Sequence, residues 1–255
     1  TGASVSAINV DEKGKVSSIY VNGEIIPVKN LISGADYKHS ESLLPEELRG
    51  YTESFWNKKI MAPSSLLFYV GFDKKLENVL HHTLFFDTSF DDHAVSIYDD
   101  PAWPEKPLFY ASFPSMTDET VAPVGKEAAI FLIPLAPDLE DTEELREKYF
   151  QIILSRLEKL TDQTLHNHII FKKSYCVQDF KDDYNSFKGN AYGMANTLFQ
   201  TAFLRPKLKS KKVKNLYFTG QLTVPGPGVP PSLISGKLVS EIVTNQNKLH
   251  HESVI

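Results

Sequence analysis

The chain closes on "NLYFTGQLTVPGPGVPPSLISGKLVSEIV", Asn215 to Val243, and this stretch restricts the possible folds more than any other. A short apolar run ends at Gly220. A loop containing Pro225, Gly226, Pro227, Gly228, Pro230 and Pro231 follows, and then an amphipathic helix. The prolines stiffen the backbone, and the glycines permit φ > 0 and close approach of another group. The order strand, loop, helix is that of α/β units, where ligands bind outside the carboxyl ends of the strands. The expected helix start, about Val229 to Leu233, offers free N–H groups and the positive end of a dipole. An anion or an electron-rich ring edge would be stabilised there. A rigid strand-to-helix turn with no ligand uses the same residues, and both readings stand at this point.

The rest of the chain is rich in strand patterns. Ser4 to Ala35 reads as a β-meander, with Asn22-Gly23 suited to a type I′ hairpin turn. "NLISGADY" reads as a buried strand ending at Gly34. "SSLLFYVGFD" (Ser64 to Asp73) is a continuous apolar run and is expected to be a central strand. "HHTLFFD", "PLFYASFPS" and "AAIFLIPLAP" read as further strands of one mixed or antiparallel sheet, the last ended by proline. "FDDHAVSIYDD" has helical spacing. "DTEELREKYFQIILSRLEKLTD" (Asp141 to Asp162) is the best helix, with Asp141 placed to cap it. Leu145, Tyr149, Ile152, Ile153, Leu157 and Leu160 form its expected core stripe. "HNHIIFKKSYCV" reads as a strand and "GMANTLFQTAFL" (Gly193 to Leu204) as a helix stopped by Arg205-Pro206.

Several classes of chemistry are excluded or disfavoured. A formal net charge of -5 argues against nucleic acid as the main partner. The basic run "KLKSKKVK" reads as a solvated loop or, functionally, as a membrane-facing patch. The single Cys176, at the end of an expected strand, reads as an inert half-buried thiol, and excludes a disulfide framework or a cysteine zinc site. His81 and His82 are adjacent, so their side chains should diverge on a strand. His166 and His168 could share one face, but no third metal ligand is evident, so no metal is expected. Asp91, Asp92, Asp99 and Asp100 read as a solvated face. There is no G-x-S-x-G, H-E-x-x-H, G-x-G-x-x-G or phosphate-loop motif. No run of roughly 18 apolar residues exists to span a membrane. The chain starts at Thr1 on strand-like sequence, and is expected to be a segment of a longer protein.

The closing segment resembles the C-terminal flavin motif of carotenoid desaturases of the phytoene desaturase type, in which a strand runs into a Gly, a "PG.G.P" loop and a helix. "VKNLISGADY", "SSLLFYVGFD", "HHTLFF", "PLFYASFPSMTDETVAPVGKEAAIFLIPLAP" and "FKGNAYGMANTLFQTAFLRP" resemble other segments of that family, in order, so the likeness covers nearly the whole chain. It implies a mixed α/β (α+β) fold of the FAD-dependent amine-oxidase-like type: a remnant of the FAD-binding domain with an inserted substrate domain of mixed sheet and helix. Residues 1–45 would be the FAD-domain meander, 46–206 the substrate domain and 207–255 the closing FAD segment. The family's N-terminal dinucleotide-binding unit, with its G-x-G-x-x-G, is absent, so the missing N-terminal segment is an expected partner, and this chain alone is expected to bind FAD poorly.

By the same resemblance, Gly220 and Gln221 would approach the diphosphate-ribityl region of FAD. Gly228, Val229 and Pro230 would present helix N–H groups towards the isoalloxazine. The implied reaction is dehydrogenation of a linear carotenoid: phytoene by default, or γ-carotene or a 1-hydroxycarotenoid at the 3,4 position. A carotene isomerase, a non-catalytic carotenoid-binding module and an amine oxidase are the alternatives. The apolar polyene would need a long apolar tunnel, with Phe68, Tyr69, Phe85, Phe86, Phe109, Tyr110 and Phe113 as wall candidates. No catalytic base is assigned. The implied location is cytoplasmic and peripheral to a membrane surface.

Overall fold

The computed structural model of the chain describes residues 2–252, with side chains described as far as Asn245. The strands are β1 (Val5–Val10), β2 (Val16–Val21), β3 (Glu24–Pro27), β4 (Leu31–Ser33), β5 (Ser64–Phe72), β6 (His82–Phe85), β7 (Phe109–Ser112), β8 (Glu127–Leu135), β9 (Ile169–Tyr175) and β10 (Leu216–Phe218). The α-helices are α1 (Tyr37–Ser42), α2 (Glu53–Asn57), α3 (Phe90–Tyr98), α4 (Glu143–Thr161), α5 (Val177–Tyr184) and α6 (Val229–Glu252). They fall into two units. The first holds the residues up to Ala62, Tyr184–Phe187 and those from Tyr192 on; the second holds Pro63–Asp183 and Lys188–Ala191.

In the first unit β1, β2 and β3 form an antiparallel sheet. Its hairpin turns at Asn22 and Gly23, both at positive φ, as the sequence requires. β4 is not part of this sheet. It pairs in parallel with β10, Ile32 opposite Tyr217. Nor is it a buried strand: it has three residues, and Ile32 is 47% exposed. Beneath lies an aromatic core, in which Tyr37 stacks on Phe218 with centroids 3.8 Å apart and packs against Tyr51 and Trp56. Buried Asn215 accepts from Val16 N–H (2.6 Å) and donates to the carbonyls of Val16 (2.9 Å) and Lys29 (2.8 Å), so the chain enters β10 already fastened to the meander.

The helix expected over Gly193 to Leu204 does not form; only a 3₁₀ turn at Ala202–Leu204 is present. Gly193 sits at φ +80° and Ala202 at φ +48°, both incompatible with a right-handed helix. Tertiary contacts replace helical hydrogen bonds. Gln200 accepts from Ile60 N–H (2.9 Å) and donates to its carbonyl (2.8 Å), and Ala62 N–H donates to the Gly193 carbonyl (2.8 Å).

The second unit is built on one antiparallel sheet of order β6-β7-β8-β5-β9. β5 and β8 pair along their full length, from Ser64 opposite Leu135 to Phe72 opposite Glu127. Pro134 lies inside β8. β7 has already stopped at its pairing with Leu132, so the missing N–H costs no ladder bond there. Burial alternates. Leu66, Phe68, Val70 and Phe72 of β5 and Ala129, Phe131, Ile133 and Leu135 of β8 face the core with α4.

The buried stripe of α4 is Tyr149, Phe150, Ile153, Leu154 and Leu157, whereas Leu160 is 47% exposed. The expected stripe was therefore rotated: Phe150, which packs on Phe68 at 5.0 Å, and Leu154 belong to the core. Leu154→Ala is expected to cost about 2–4 kcal/mol, and Leu160→Ala within about 0.5 kcal/mol, in urea unfolding. Equal effects would contradict this packing.

Asp141 does not cap α4. Thr142 does, accepting from Leu145 N–H at 3.3 Å. Asp141 instead takes Arg146 in a fork, Nε at 2.7 Å and Nη2 at 2.6 Å, with Asp179 2.8 Å from Nη2. Burial alone would raise the Asp141 pKa, but the hydrogen bonds from Arg146 and from Gln178 N–H outweigh it and hold it below the usual value. A depressed folded pKa contributes stability that is present above the unfolded value of about 3.9 and lost as pH falls through the folded one. Unfolding free energy should therefore decline below roughly pH 4, with a shallower decline in Asp141→Asn; parallel acid limbs would contradict it.

Two further expectations change. His166–His168 forms a 3₁₀ turn before β9 rather than its first residues. Cys176 is fully buried, and burial pushes its thiol up to about 12.

Candidate functional site

β4 and β10 end side by side, and Thr219 N–H continues their ladder to the Ser33 carbonyl at 2.9 Å. The next residue, Gly220, is at φ +106°, and a Cβ there would stand 3.9 Å from the Gly34 carbonyl. Its N–H donates to Ser235 Oγ (2.8 Å), which lies 2.6 Å from Thr219 Oγ1. The Gly220 carbonyl accepts from the N–H (3.1 Å) and hydroxyl (2.8 Å) of Thr223. Ser235 belongs to α6, so the helix is fastened to the strand end across the loop. These hydroxyls had no visible signal in the sequence beyond being small and polar.

The loop then runs through a cis Val224–Pro225 bond, Gly226 at φ +135° and Gly228 at φ +109° into α6. Of the five residues expected to meet a cofactor, Gly220 and Gln221 are half-buried at the strand end, and Gly228, Val229 and Pro230 are exposed at the helix start. Pro230 and Pro231 have no N–H, so Pro230 cannot present one. The Gly228 carbonyl is occupied by Ser232 N–H (3.0 Å) and its hydroxyl (2.9 Å). The donors left at the helix start are the N–H groups of Gly228 and Val229. Two residues the sequence did not flag shape the corner from below. Gly193 lies against Gln221, and Arg205 donates to the Gln221 carbonyl at 3.3 Å and lies against Gly226.

In the second unit the sheet face opposite α4 is not covered in the same way. Leu84, Tyr110, Leu132, Leu67 and Tyr175 stand in one row across β6, β7, β8, β5 and β9. The neighbouring row is His82, Ser112, Ile130, Tyr69 and Lys173. Leu84 is 61% exposed and Tyr69 39%. A cavity of about 370 Å³ opens on this face, lined by Tyr69, Gly71, Val121, Ala128, Ile130 and Phe171 among others.

The expected tunnel wall is thereby divided. Tyr69 and Tyr110 lie on the open face. Phe68, Phe85, Phe109 and Phe113 are buried in the core on the other face, as strand alternation dictates, and Phe86 lies beyond the end of β6 against Phe90.

His81 and His82 do not diverge. His81 precedes the strand, and the two rings lie against each other, tilted by 33° with centroids 4.2 Å apart. His81 Nδ1 is 2.6 Å from Thr117 Oγ1, and His82 Nδ1 is 2.6 Å from the Tyr110 hydroxyl. His166 and His168 meet separate carboxylates, Glu158 and Asp73. No metal-binding cluster is found among the described residues, nor any helix long and apolar enough to cross a membrane.

No family model matches the sequence. Individual relatives do. The chain is 40% identical over 242 residues to a carotenoid 3,4-desaturase of Haloarcula japonica, covering 94% of this chain and 49% of the relative. It is 30% identical to a 4,4'-diapophytoene desaturase of Staphylococcus haemolyticus (94% and 50%), and 29% identical to a zeta-carotene-forming phytoene desaturase of Myxococcus xanthus (94% and 47%). The chain thus spans about half the length of the curated relatives it matches. In structure it is similar to an oxidoreductase from Methanosarcina mazei, with a TM-score of 0.62 at 16% identity over 94% of this chain and 49% of that one. A protein from Exiguobacterium sp. 255-15 described as a protoporphyrinogen oxidase gives a TM-score of 0.55 at 12% identity (94% and 46%). The mixed α/β fold is therefore one found among oxidoreductases, and by sequence, over nearly all its own length, the chain is similar to carotenoid desaturases.

Proposed function

We propose that the protein carrying this chain introduces C=C bonds into a linear carotenoid, with FAD as the electron acceptor. The observation that carries the reading is the open face of the second unit: the row Leu84, Tyr110, Leu132, Leu67 and Tyr175 and a cavity of about 370 Å³ lined mainly by apolar residues, suited to a substrate with no charged handle. The whole-chain likeness to desaturases supports it.

The loop of the first unit fits a flavin. Gly220, Gly226 and Gly228 hold positive φ, as a backbone that closely approaches a ligand can require. Gly228 and Val229 lie exposed at the start of α6, and a buried cation, Arg205, stands behind the loop with its Nε unpartnered. In this reading Gly220 and Gln221 approach the diphosphate-ribityl region. Gly228 and Val229 direct N–H groups at the electron-rich edge of the isoalloxazine, and Pro230 fixes the helix start. FAD, when bound, supplies the two-electron acceptor that the chain lacks. The chain's own part is to orient an apolar polyene, exclude water and present fixed dipoles to the charge that develops. The protein would meet its substrate at a membrane surface without spanning it, and the remaining part of the family fold would hold the other half of the cofactor.

Phytoene is one substrate; the likeness to a 3,4-desaturase favours a second reading, 3,4-desaturation of γ-carotene or a 1-hydroxycarotenoid. Incubation of the full-length protein with phytoene and with γ-carotene in liposomes, read by absorbance and mass, separates the two. No product from any carotene would overturn both.

A further inference from the structure

Arg205 is 2% exposed. Its Nη2 donates to the Met194 carbonyl (2.7 Å) and to Asn196 Oδ1 (2.6 Å), and its Nη1 to the Gln221 carbonyl (3.3 Å). Its Nε has no partner. Every acceptor it meets is neutral, and burial pulls its pKa below the ordinary value with no neighbouring charge to offset this. A Cβ at Gly226 would stand 3.2 Å from Nε and 3.3 Å from Cζ, so the loop backbone rests directly against the guanidinium.

A buried cation with no counter-charge is costly, and an apolar side chain of similar volume often serves a core as well or better. Packing therefore does not explain why an arginine is here. Two features of its surroundings do. Its fork ties the 194–196 segment to the carbonyl of Gln221, next to Gly220, and thus sets the shape of the loop. Its charge lies against the Gly226 backbone, two residues before the exposed N–H groups of Gly228 and Val229, in a place where water screens it little.

We propose that Arg205 is a positioning residue for the ligand of the Gly220–Val229 loop, holding the loop in shape and supplying the positive charge that favours a bound flavin in its reduced, anionic form. This rests on the flavin reading above and adds to it the group that balances the charge. The missing counter-ion of Arg205 would arrive with the two electrons delivered to the ligand.

The test uses the full-length protein loaded with FAD, with Arg205→Met to remove the charge while keeping volume and Arg205→Lys to keep the charge while losing the fork. The readouts are the two-electron reduction potential by dye equilibration and the FAD dissociation constant. Arg205→Met is expected to lower the equilibrium constant for reduction at least tenfold, about 30 mV for a two-electron couple. Arg205→Lys is expected to keep the potential near wild type and to weaken FAD binding about tenfold, the cost of losing a charged hydrogen bond. A foldable Arg205→Met with an unchanged potential overturns the proposal. Should that variant not fold, an Arg205→Lys protein whose potential falls, or whose FAD affinity is unchanged, overturns it. A wild-type protein that takes up no flavin removes the underlying reading instead, so the two failures are distinct.

Discussion

Gly193→Ala is expected to destabilise the first unit by about 3–6 kcal/mol and to displace the corner at Gly220 and Gln221. Gly193 sits at φ +80°, so any Cβ brings left-handed strain. The added atom would also lie 2.9 Å from Gln221 Cγ and from its carbonyl oxygen, and 3.1 Å from the carbonyl carbon. The Cγ can swing away; the carbonyl is backbone and already holds the Arg205 hydrogen bond. Gly193 cannot retreat freely either, because its own carbonyl accepts from Ala62 N–H at 2.8 Å. Gly125→Ala is the control. It has φ +78° with nothing within 4 Å, so it carries the strain without the clash, about 1–2 kcal/mol. Urea unfolding measures both. If the two variants are equal, the close approach at Gln221 is wrong.

Under the proposed reading, a carboxylate placed on the open sheet face should abolish turnover of the polyene and spare the fold. Leu132 is half-exposed in the middle of the five-strand row, so Leu132→Asp should cost the folded protein only about 1 kcal/mol. An apolar substrate lying over that row would bury the new charge unpaired, at several kcal/mol, which corresponds to about 100-fold or more in kcat/KM. FAD content should not change. Ile133→Asp, one residue on, points the charge into the core at 0% exposure and should unfold the second unit. A Leu132→Asp protein with activity within about threefold of wild type would show that the substrate does not lie on this face.

Parts of this architecture are legible in the residues. Asn-Gly at 22–23 demands a tight turn whatever surrounds it, and the turn is there. The strand, Gly220, the proline-rich loop and α6 follow from local stereochemistry alone, as do the apolar runs of β5 and β8, though not which of their faces is buried. Where local and tertiary demands conflict, the residues mislead. The 193–204 segment has helical composition, but Gln200 and Arg205 find better partners across the unit than a helix would provide. Asp141 has the chemistry of a cap and is taken by Arg146 instead. In α4 the apolar stripe could be read at two adjacent angles, and only the sheet beneath selects Phe150 and Leu154.

What the sequence determined by itself was the class of chain and the position of its most constrained loop, because Gly and Pro limit φ and ψ residue by residue with no help from the fold. The tertiary structure alone decided which aromatic side chains face outward. It also revealed that Pro230 stands at an exposed helix start where only Gly228 and Val229 have N–H groups to offer, and that Arg205 is buried behind the loop. Each of these depends on what lies opposite in space, and neither spacing nor composition carries that.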